Sequence, residues 1–338
     1  FRSLFVCRPF DGDLRAEIAR RGHDLFSLAP VKRREMQPCE SPYAQWLGTT
    51  WQDDAADTLR AIAVSGINPD WLVVDHYALD IGWERILRPH VGRVMVIDDL
   101  ANRSHVCDLL LDQNLYDRLN DRYSALVPAY CRQLLGPRHA LLRDEFRRVR
   151  AILKPQSGAV HRLLVFFGGV DHANLTMRTL QALATLSDLS LTVDVVLGGA
   201  NMHRHSVEQF ARQLSKTTVH VQSTDMAGLM GLADLSIGAG GTTTWERAHL
   251  GLPSIVVVVA DNQREVTDAA ARAGICRSLG WYEEVSSDAI ASAVREACGN
   301  PQLMRKMCRQ ALGISAADHE TGTITVANAL MEGSRVYA

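Results

Sequence analysis

The sequence predicts an α/β protein made of two doubly wound, Rossmann-like domains, and three observations support this prediction. The chain has 338 residues, which suits two domains of about 150 to 170 residues better than one. Short apolar segments alternate with helical ones at the spacing of parallel βαβ units. Residues 153–159, with the sequence LKPQSGA, interrupt this alternation with proline, serine and glycine. We therefore predict an N-terminal domain over residues 1–155 and a C-terminal domain over residues 156–338.

Composition and charge narrow the classes of function. Hydrophobic residues make up 47% of the chain and charged residues 22%, as in a globular protein with a full core. The net charge of −2 argues against a nucleic-acid partner. The sequence shows no secretory leader and no apolar run of about 18 residues, so we expect a cytoplasmic monomer without stable membrane insertion. The seven cysteines form no CxxC pair and the histidines show no metal-ligand spacing, so we expect no metal and no cofactor.

The N-terminal half reads as strands that alternate with helices around one long loop. The predicted strands cover residues 3–6, 24–28, 71–74, 94–97 and 109–112, the predicted helices cover residues 11–21, 52–65 and 81–87, and the loop covers residues 30–48. Ligands of open parallel sheets bind at the carboxyl ends of the strands. Asp75, His76, Tyr77, Asp98 and Asp99 follow predicted strands and are expected at that edge.

The C-terminal half follows the same pattern. The predicted strands cover residues 161–169, 191–197 and 219–221, and the predicted helices cover residues 174–184, 207–214, 225–232, 287–309 and 322–331. In a doubly wound sheet the first and fourth strands are neighbours. Gly168 and Gly169, which end the first of these strands, should therefore face the turn that follows the fourth.

That fourth strand opens the most informative stretch, residues 235–265, which reads LSIGAGGTTTWERAHLGLPSIVVVVADNQRE. A glycine-rich turn with Gly238, Gly240 and Gly241 leads into a helix that begins with threonines. Such a turn lets an anion approach the unpaired amides of the helix, and the helix dipole favours negative charge there. We predict a pyrophosphate site that includes Gly240, Gly241, Thr242 and Thr243, with Glu246 accepting hydrogen bonds from a ribose diol.

A second interpretation of residues 235–265 is an ordinary turn without a ligand. The turn lacks the Gly-Lys-Ser/Thr of a P-loop, and a threonine replaces the third glycine of the dinucleotide fingerprint. An ordinary tight turn with a threonine cap and a solvated glutamate explains the glycine pattern about equally well. Two glycine turns that line one crevice favour the nucleotide interpretation.

Seven ordered motifs carry a narrower resemblance. They are WLVVDHY, VIDDLANR, CDLLLDQN, LLGPRHALLRDEF, FFGGVD, IGAGGTTTWER and LGLPSIVVVVADNQ. Together they resemble the UDP-sugar hydrolases of pseudaminic acid biosynthesis, which act on UDP-2,4-diacetamido-2,4,6-trideoxy-β-L-altropyranose and have the GT-B architecture. The resemblance implies a metal-independent hydrolase that releases UDP by attack of water at the anomeric carbon with inversion. The free sugar would then serve the glycosylation of flagellin or surface glycans.

One part of the family pattern is absent. Its members open with a strand and a GxGHxxR segment whose histidine is the expected general base, and this chain has no such segment. Since the missing strand would lie in the middle of the first sheet, we expect the sequence to be a fragment or to have a misplaced start. An in-frame stop codon directly before Phe1 would contradict this. We expect residues 1–338 alone to bind UDP weakly or not at all and to show little turnover.

The resemblance places active-site groups at Tyr77 and Asn262. The plainer alternatives are that Tyr77 covers a loop and that Asn262 caps the next helix. His76 is expected to be structural, because chain alternation points it away from Tyr77. Asp75 and Asp98 are able to orient a water, but aspartates at strand ends often form Asx turns.

Two other functions compete with hydrolysis. A UDP-sugar glycosyltransferase would use the same donor site and deliver the sugar to an acceptor. An inactive sugar-nucleotide-binding fragment would bind without turnover.

Overall fold

The structure is a computed structural model and describes residues 2–10, 12–30, 42–315 and 321–334. Most of the predicted loop over residues 30–48, and the first residue of the predicted helix 11–21, lie outside the described residues. The strands and helices up to residue 135 are β1 Leu4–Cys7, α1 Arg15–Arg20, β2 Asp24–Ser27, α2 Ala44–Leu47, α3 Trp51–Ser65, β3 Trp71–Val74, α4 Ile81–Leu87, β4 Arg93–Ile97, β5 Leu109–Asp112 and β6 Arg132–Leu135.

The elements from residue 136 onward alternate regularly before the chain ends in helices. They are α5 Asp144–Ile152, β7 Arg162–Phe166, α6 Leu175–Ala184, β8 Thr192–Leu197, α7 Arg204–Ala211, β9 Thr217–Val221, α8 Met226–Leu232, β10 Leu235–Ala239, α9 Thr243–His249, β11 Ser254–Val258, α10 Arg264–Arg272, β12 Arg277–Trp281, α11 Ser287–Gly299, α12 Pro301–Ile314 and α13 Gly322–Ser334.

The chain divides into two compact units. The first comprises Phe1–Asp112, Arg118–Leu135 and Ala327–Ala338, and the second comprises Gln113–Asp117 and Gly136–Val326. The continuous part of the second unit begins at Gly136, about twenty residues before the predicted boundary at 155/156. The reason is α5, whose Phe146 is fully buried against Leu164 of β7 and neighbouring apolar side chains. The end of the chain belongs to the first unit, where the Trp71 indole donates to the Leu330 carbonyl at 3.0 Å.

The first unit contains two parallel sheets among its described residues. Strands β1 and β2 pair with each other, and β3, β4, β5 and β6 form a four-stranded sheet in that order. The core beneath the larger sheet includes Val96, Leu110, Trp83 and Leu87, all nearly free of solvent contact. A local signal starts α3, because the Thr50 hydroxyl accepts from the Asp53 amide at 3.0 Å.

The second unit is a six-stranded, fully parallel sheet with the order β12-β11-β10-β7-β8-β9. The first and fourth strands of this unit, β7 and β10, are hydrogen-bonded neighbours, as predicted. Gly238 of β10 pairs with Phe166 of β7, so the turns that follow these two strands emerge side by side. This arrangement is a doubly wound sheet whose direction of winding changes between β7 and β10.

Two strands were not predicted, and one predicted helical segment is divided. Strands β6 and β12 each carry arginine and lie at the edges of their sheets, so neither presents a continuous apolar run. The predicted helical segment over residues 287–309 forms two helices. Asn300 caps the second by accepting from the Leu303 amide at 3.0 Å, and Pro301 occupies its first turn.

A charged ladder crosses the second sheet. Asp194 of β8, only 3% exposed, accepts hydrogen bonds from Arg162 of β7 at 2.6 Å and from His220 of β9 at 2.8 Å. Burial by itself would raise the pKa of Asp194, but the hydrogen bonds from Arg162 and His220 more than offset it and hold the pKa below its usual range.

We predict that Asp194→Asn destabilises the protein by about 1–3 kcal/mol at pH 7, because it leaves the half-buried donors of Arg162 and His220 without a charged acceptor. A carboxylate with a lowered folded pKa stabilises the fold above its unfolded pKa and loses this effect as the pH falls through the folded pKa. The difference between wild type and variant should therefore shrink below about pH 4, as measured by urea unfolding. Asp188→Asn is the control, since Asp188 forms an exposed pair with Arg295. An equal loss in both variants would contradict the prediction.

Candidate functional site

The candidate site is the carboxyl edge of β7, β10 and β11 in the second unit. Strand β10 has the sequence LSIGA and is buried from Leu235 through Gly238. Residues 240–243, which we call the glycine-threonine turn, follow it and lead into α9. This turn lies beside Gly168 and Gly169, because Phe166 of β7 pairs with Gly238.

The three glycines of the stretch have different surroundings. A Cβ on Gly238 would lie 2.2 Å from the Phe166 carbonyl oxygen, and one on Gly240 would lie 2.2 Å from the Thr267 hydroxyl of α10. A Cβ on Gly241 would meet only the Gln263 side-chain nitrogen at 3.8 Å, an ordinary contact. The sequence prediction assigned anion approach to all three, but Gly238 serves the close packing of two strands. Of the three, Gly241 is the glycine whose Cα position is open enough for a ligand.

The backbone amides at the start of α9 differ in whether they have a protein acceptor. The Thr244 amide donates to the Gly241 carbonyl at 2.9 Å and the Trp245 amide donates to the Thr242 carbonyl at 3.0 Å, so both are used within the turn. In the part of the chain that the structure describes, the amides of Gly241, Thr242 and Thr243 have no protein acceptor. Thr242 is exposed, and Gly241 and Thr243 are half-buried. These three amides are therefore able to donate to an anion.

The buried side chains of Thr244 and Trp245 form hydrogen bonds that fix this turn. The Thr244 hydroxyl is buried and accepts from Arg247 at 3.0 Å, so it is not available to a ligand. The Trp245 indole is buried and donates to the Asn114 side-chain oxygen at 2.7 Å. These contacts fix the first turn of α9 through its inward face and leave Thr242 and Thr243 on the outer face.

The second glycine turn is open on its outer side. Gly168 has a φ of +89°, a left-handed conformation that favours glycine. A Cβ added to Gly168 or Gly169 would meet no atom within 4 Å. Space next to these two residues is therefore available at the edge where the glycine-threonine turn also ends.

Glu246 lies one turn into α9 and is half-buried. Its carboxylate accepts from Arg143, just before α5, at 3.4 Å. Burial raises the pKa of Glu246, and the charge and hydrogen bond of Arg143 counter part of that increase. Sequence analysis did not single out Arg143, although it lies within the motif LLGPRHALLRDEF.

Asn262 belongs to a short 3-10 helix, Asp261–Gln263, after β11. Its side chain is exposed and has no hydrogen-bond partner among the described residues. Gln263, not Asn262, occupies the position before α10, so the capping role that we weighed for Asn262 is not observed. The Gln263 side-chain oxygen accepts from the Val259 amide at 3.1 Å, and its nitrogen faces Gly241. Gln263 thus braces the loop after β11 and lies next to the glycine-threonine turn, a placement that the sequence did not predict.

Tyr77 lies in the first unit, after β3, within an aromatic group. Its ring centroid is 5.0 Å from that of Tyr43 and 5.8 Å from that of Trp46. Neighbouring His76 accepts at Nδ1 from the Ala78 amide at 3.0 Å, and burial lowers its pKa. His76 therefore has a structural contact of the kind that we expected.

The two aspartates after β3 and β4 differ. Asp98 is 1% exposed and accepts from the Ala101 amide at 2.9 Å and from the Tyr123 hydroxyl at 3.0 Å, with Arg103 at 2.6 Å. It is an internal turn residue. Asp75 is exposed at the surface. Crowding by surrounding protein, together with the charge of Asp99, raises the pKa of Asp75.

The described residues contain neither a metal-binding cluster nor a membrane-spanning helix. No group of three or more histidine, cysteine, aspartate or glutamate side chains there has the arrangement needed to hold a metal ion. None of the helices in that part of the chain has the length and apolar character to cross a membrane.

The fold identifies the structural class to which the protein belongs. Over 98% of this chain the structure is similar to the crystal structure of MurG from Acinetobacter baumannii, with a TM-score of 0.64, 14% identity and coverage of 91% of that chain. It is also similar to Phytolacca americana UGT2 complexed with UDP-2fluoro-glucose and pterostilbene, with a TM-score of 0.64, 12% identity and coverage of 99% of this chain and 93% of that one. The protein has a GT-B glycosyltransferase-like α/β fold with parallel sheets.

The match to a known sequence family lies in the second unit. Residues 163–320 match the family described as Glycosyltransferase family 28 C-terminal domain. This match contains both glycine turns, Glu246 and Asn262.

Three curated relatives are similar over part of the chain. The uncharacterized protein MJ1062 of Methanocaldococcus jannaschii is 25% identical over 64% of this chain and 45% of its own length. The UDP-2,4-diacetamido-2,4,6-trideoxy-beta-L-altropyranose hydrolase of Campylobacter jejuni is 23% identical over 60% of this chain and 71% of its own. The spore coat polysaccharide biosynthesis protein SpsG of Bacillus subtilis is 28% identical over 46% of each chain. The chain thus spans about half the length of MJ1062 and SpsG.

The contrast between Gly238 and Gly241 gives a prediction. Gly238→Ala should destabilise the protein by about 1–3 kcal/mol, because the added methyl group overlaps the Phe166 carbonyl. Gly241→Ala should fold with nearly wild-type stability, since its Cβ has room, but should weaken UDP binding about tenfold by covering the free amides. Thermal unfolding and calorimetric titration with UDP measure the two effects. Unchanged UDP affinity in a folded Gly241→Ala variant would contradict the assignment of the site.

Proposed function

We propose that this protein binds a UDP-sugar through its second unit and cleaves the bond between the anomeric carbon and the β-phosphate oxygen, with water as the attacking group. One observation carries the proposal: the amides of Gly241, Thr242 and Thr243 have no protein acceptor among the described residues, and they lie in a solvent-accessible turn beside the open turn of Gly168 and Gly169. Amides arranged in this way suit the oxygens of a diphosphate. The family match over residues 163–320 supports a sugar-nucleotide ligand.

We also propose roles for the other site residues of the second unit. Glu246 accepts hydrogen bonds from the ribose diol, and Arg143 keeps its carboxylate oriented. Gly168, Gly169 and Gly240 shape the space around the diphosphate. Because the six-stranded sheet of this unit is continuous, we propose that the chain itself binds UDP, which revises the weak binding expected from the sequence.

The substrate follows from the sequence motifs and from one relative. We propose a UDP-linked 2,4-diacetamido-2,4,6-trideoxy sugar, as named for the Campylobacter relative, and a place in pseudaminic acid biosynthesis for flagellin or surface glycan modification. Similarity to a spore coat polysaccharide biosynthesis protein supports a role in making surface sugars.

The chemistry needs little acid catalysis. The oxygen of water forms a bond to the anomeric carbon, the bond from that carbon to the β-phosphate oxygen breaks, and the electron pair stays on UDP. Amides at the glycine-threonine turn stabilise the negative charge that grows on the diphosphate. The water also loses a proton, which passes to solvent water here, because residues 1–338 lack the GxGHxxR segment whose histidine accepts it in the family, so we expect turnover to be slow. Tyr77 and Asn262 are proposed to orient the sugar or the water.

Glycosyl transfer is the second candidate. The match to the Glycosyltransferase family 28 C-terminal domain and the similarity to MurG favour it, and it uses the same donor site. In this case an acceptor alcohol replaces water. An inactive binder differs from both, because it holds UDP without breaking a bond.

Incubation with the UDP-sugar alone distinguishes these functions. Hydrolysis predicts equal amounts of UDP and free sugar, with inversion visible by NMR of the first-formed anomer. Tyr77→Phe and Asn262→Ala should each lower turnover by about tenfold or more while UDP affinity changes less than about threefold. Asp261→Asn, an exposed neighbour of Asn262, is the matched control. UDP release only after an acceptor is added would favour the transferase, and UDP binding without release would favour the binder.

The proposed role of Glu246 predicts a particular pH dependence. Glu246→Gln should weaken UDP binding about tenfold at pH 7.5, because a charged acceptor is lost. Since burial raises the pKa of Glu246, wild type should lose affinity on acidification at a pH above that of an ordinary glutamate, as Glu246 takes up a proton. The phosphate of UDP titrates in both proteins, so the ratio of their dissociation constants isolates Glu246. Glu208→Gln, on an exposed helix pair, is the control. A ratio that does not change with pH would contradict the role.

A further inference from the structure

We infer that the buried guanidinium of Arg247 is the fixed positive charge that a bound diphosphate neutralises. This inference rests on the proposed UDP binding and adds a positioning residue to it, one that acts from behind the turn without touching the ligand. Nothing in the sequence motif WER distinguishes this arginine from a solvated one.

The placement of Arg247 follows from helix geometry. It lies in the second half of α9, and side chains on a helix point back toward its N-terminus. One guanidinium nitrogen donates to the Ala239 carbonyl at 2.8 Å and to the Thr244 hydroxyl at 3.0 Å. The other lies 2.8 Å from the position that a Cβ on Gly238 would take. The guanidinium is thus enclosed between the end of β10 and the first turn of α9, directly behind the glycine-threonine turn.

Arg247 forms no ion pair among the described residues, and burial lowers its pKa by more than the nearby charge of Glu246 raises it. The side chain is 2% exposed, and both of its hydrogen-bond acceptors are neutral oxygens. No carboxylate oxygen among the described residues lies within 4.0 Å of it, and its Nε atom has no partner. Glu246, next in the sequence, is instead held by Arg143. Burial lowers the pKa of Arg247 to about 10, so the residue keeps its charge at neutral pH.

A buried cation whose hydrogen-bond acceptors are all neutral is unfavourable, and buried charges in proteins are normally paired with an opposite charge. The amides of Gly241, Thr242 and Thr243, which have no protein acceptor among the described residues, belong to the solvent-accessible part of the same turn, whereas Arg247 is buried behind it. An anion seated on those amides would supply the missing negative charge across a single layer of backbone, where the low dielectric strengthens the attraction. Arg247 therefore favours ligands in proportion to their phosphate charge.

A purely structural role makes a different prediction. If Arg247 only ties Ala239 to Thr244, removing its charge disturbs the turn and weakens every ligand of the site to the same degree. If it acts as the countercharge, the loss grows from uridine to UMP to UDP. The dependence of the loss on ligand charge therefore separates the two roles.

The test uses Arg247→Gln, which keeps a hydrogen-bond donor without charge, and Arg247→Lys, which keeps the charge. Calorimetric titrations with uridine, UMP, UDP and inorganic pyrophosphate give four dissociation constants for each protein, with far-ultraviolet circular dichroism as the check of folding. For Arg247→Gln we expect UDP and pyrophosphate to bind about tenfold more weakly and uridine to change by less than about twofold, with Arg247→Lys in between. Equal losses for uridine and UDP in the folded variant would overturn the inference.

If Arg247→Gln does not fold, Arg247→Lys is compared with wild type, and equal losses of affinity for uridine and UDP in that variant would overturn the inference. The inference requires wild type to bind UDP at least about tenfold more tightly than uridine and to bind pyrophosphate in competition with UDP. Equal affinities for uridine and UDP would overturn it. Failure of the proposed function looks different, since wild type would then bind pyrophosphate but show no preference for UDP over pyrophosphate.

Discussion

The close approach of β7 and β10 is the constraint on which the candidate site depends. These strands are neighbours in the centre of the six-stranded sheet, and a Cβ at Gly238 would lie 2.2 Å from the Phe166 carbonyl. Only glycine fits there. Their pairing makes the turns at Gly168 and Gly241 leave the sheet side by side, although more than seventy residues of sequence separate them. The site is thus a consequence of strand order.

The inner and outer faces of the glycine-threonine turn differ in their hydrogen bonding. On the inner face, Thr244, Trp245 and Arg247 are buried, and each forms a hydrogen bond that fixes the start of α9. On the outer face, three amides remain without protein acceptors in the described part of the chain. Rigid packing behind a set of free donors is the arrangement that electrostatic stabilisation of a leaving group requires, since the donors need no reorganisation when charge develops.

Much of this fold could be predicted from the sequence, because its strands are short apolar runs followed by glycine or polar turns. The neighbouring positions of β7 and β10 followed from the winding rule and are confirmed. Strands β6 and β12 escaped prediction because arginines and partial exposure hide their pattern at the sheet edges. The division of the chain also differed, because the burial of Phe146 that attaches α5 to the second unit is a long-range contact.

The candidate site was only partly readable from the sequence. Glycine spacing identified the turn, but it could not tell that Gly238 serves strand packing while Gly241 faces outward. The sequence also could not show that the Arg247 guanidinium is buried, since an arginine in a short helix is usually solvated. Gln263 and Arg143 were missed for a similar reason. Their roles depend on contacts with distant parts of the chain, the Gly241 turn and Glu246.

The most direct test of the central claim follows the backbone amides of α9 during a titration with UDP, using nitrogen-15 TROSY spectra of the assigned protein. The account predicts that the Gly241, Thr242 and Thr243 amides show the largest proton shifts, in the direction of stronger hydrogen bonding, while the Thr244 and Trp245 amides, already bonded within the turn, change little. UDP binding that leaves the first three amides unshifted would contradict it.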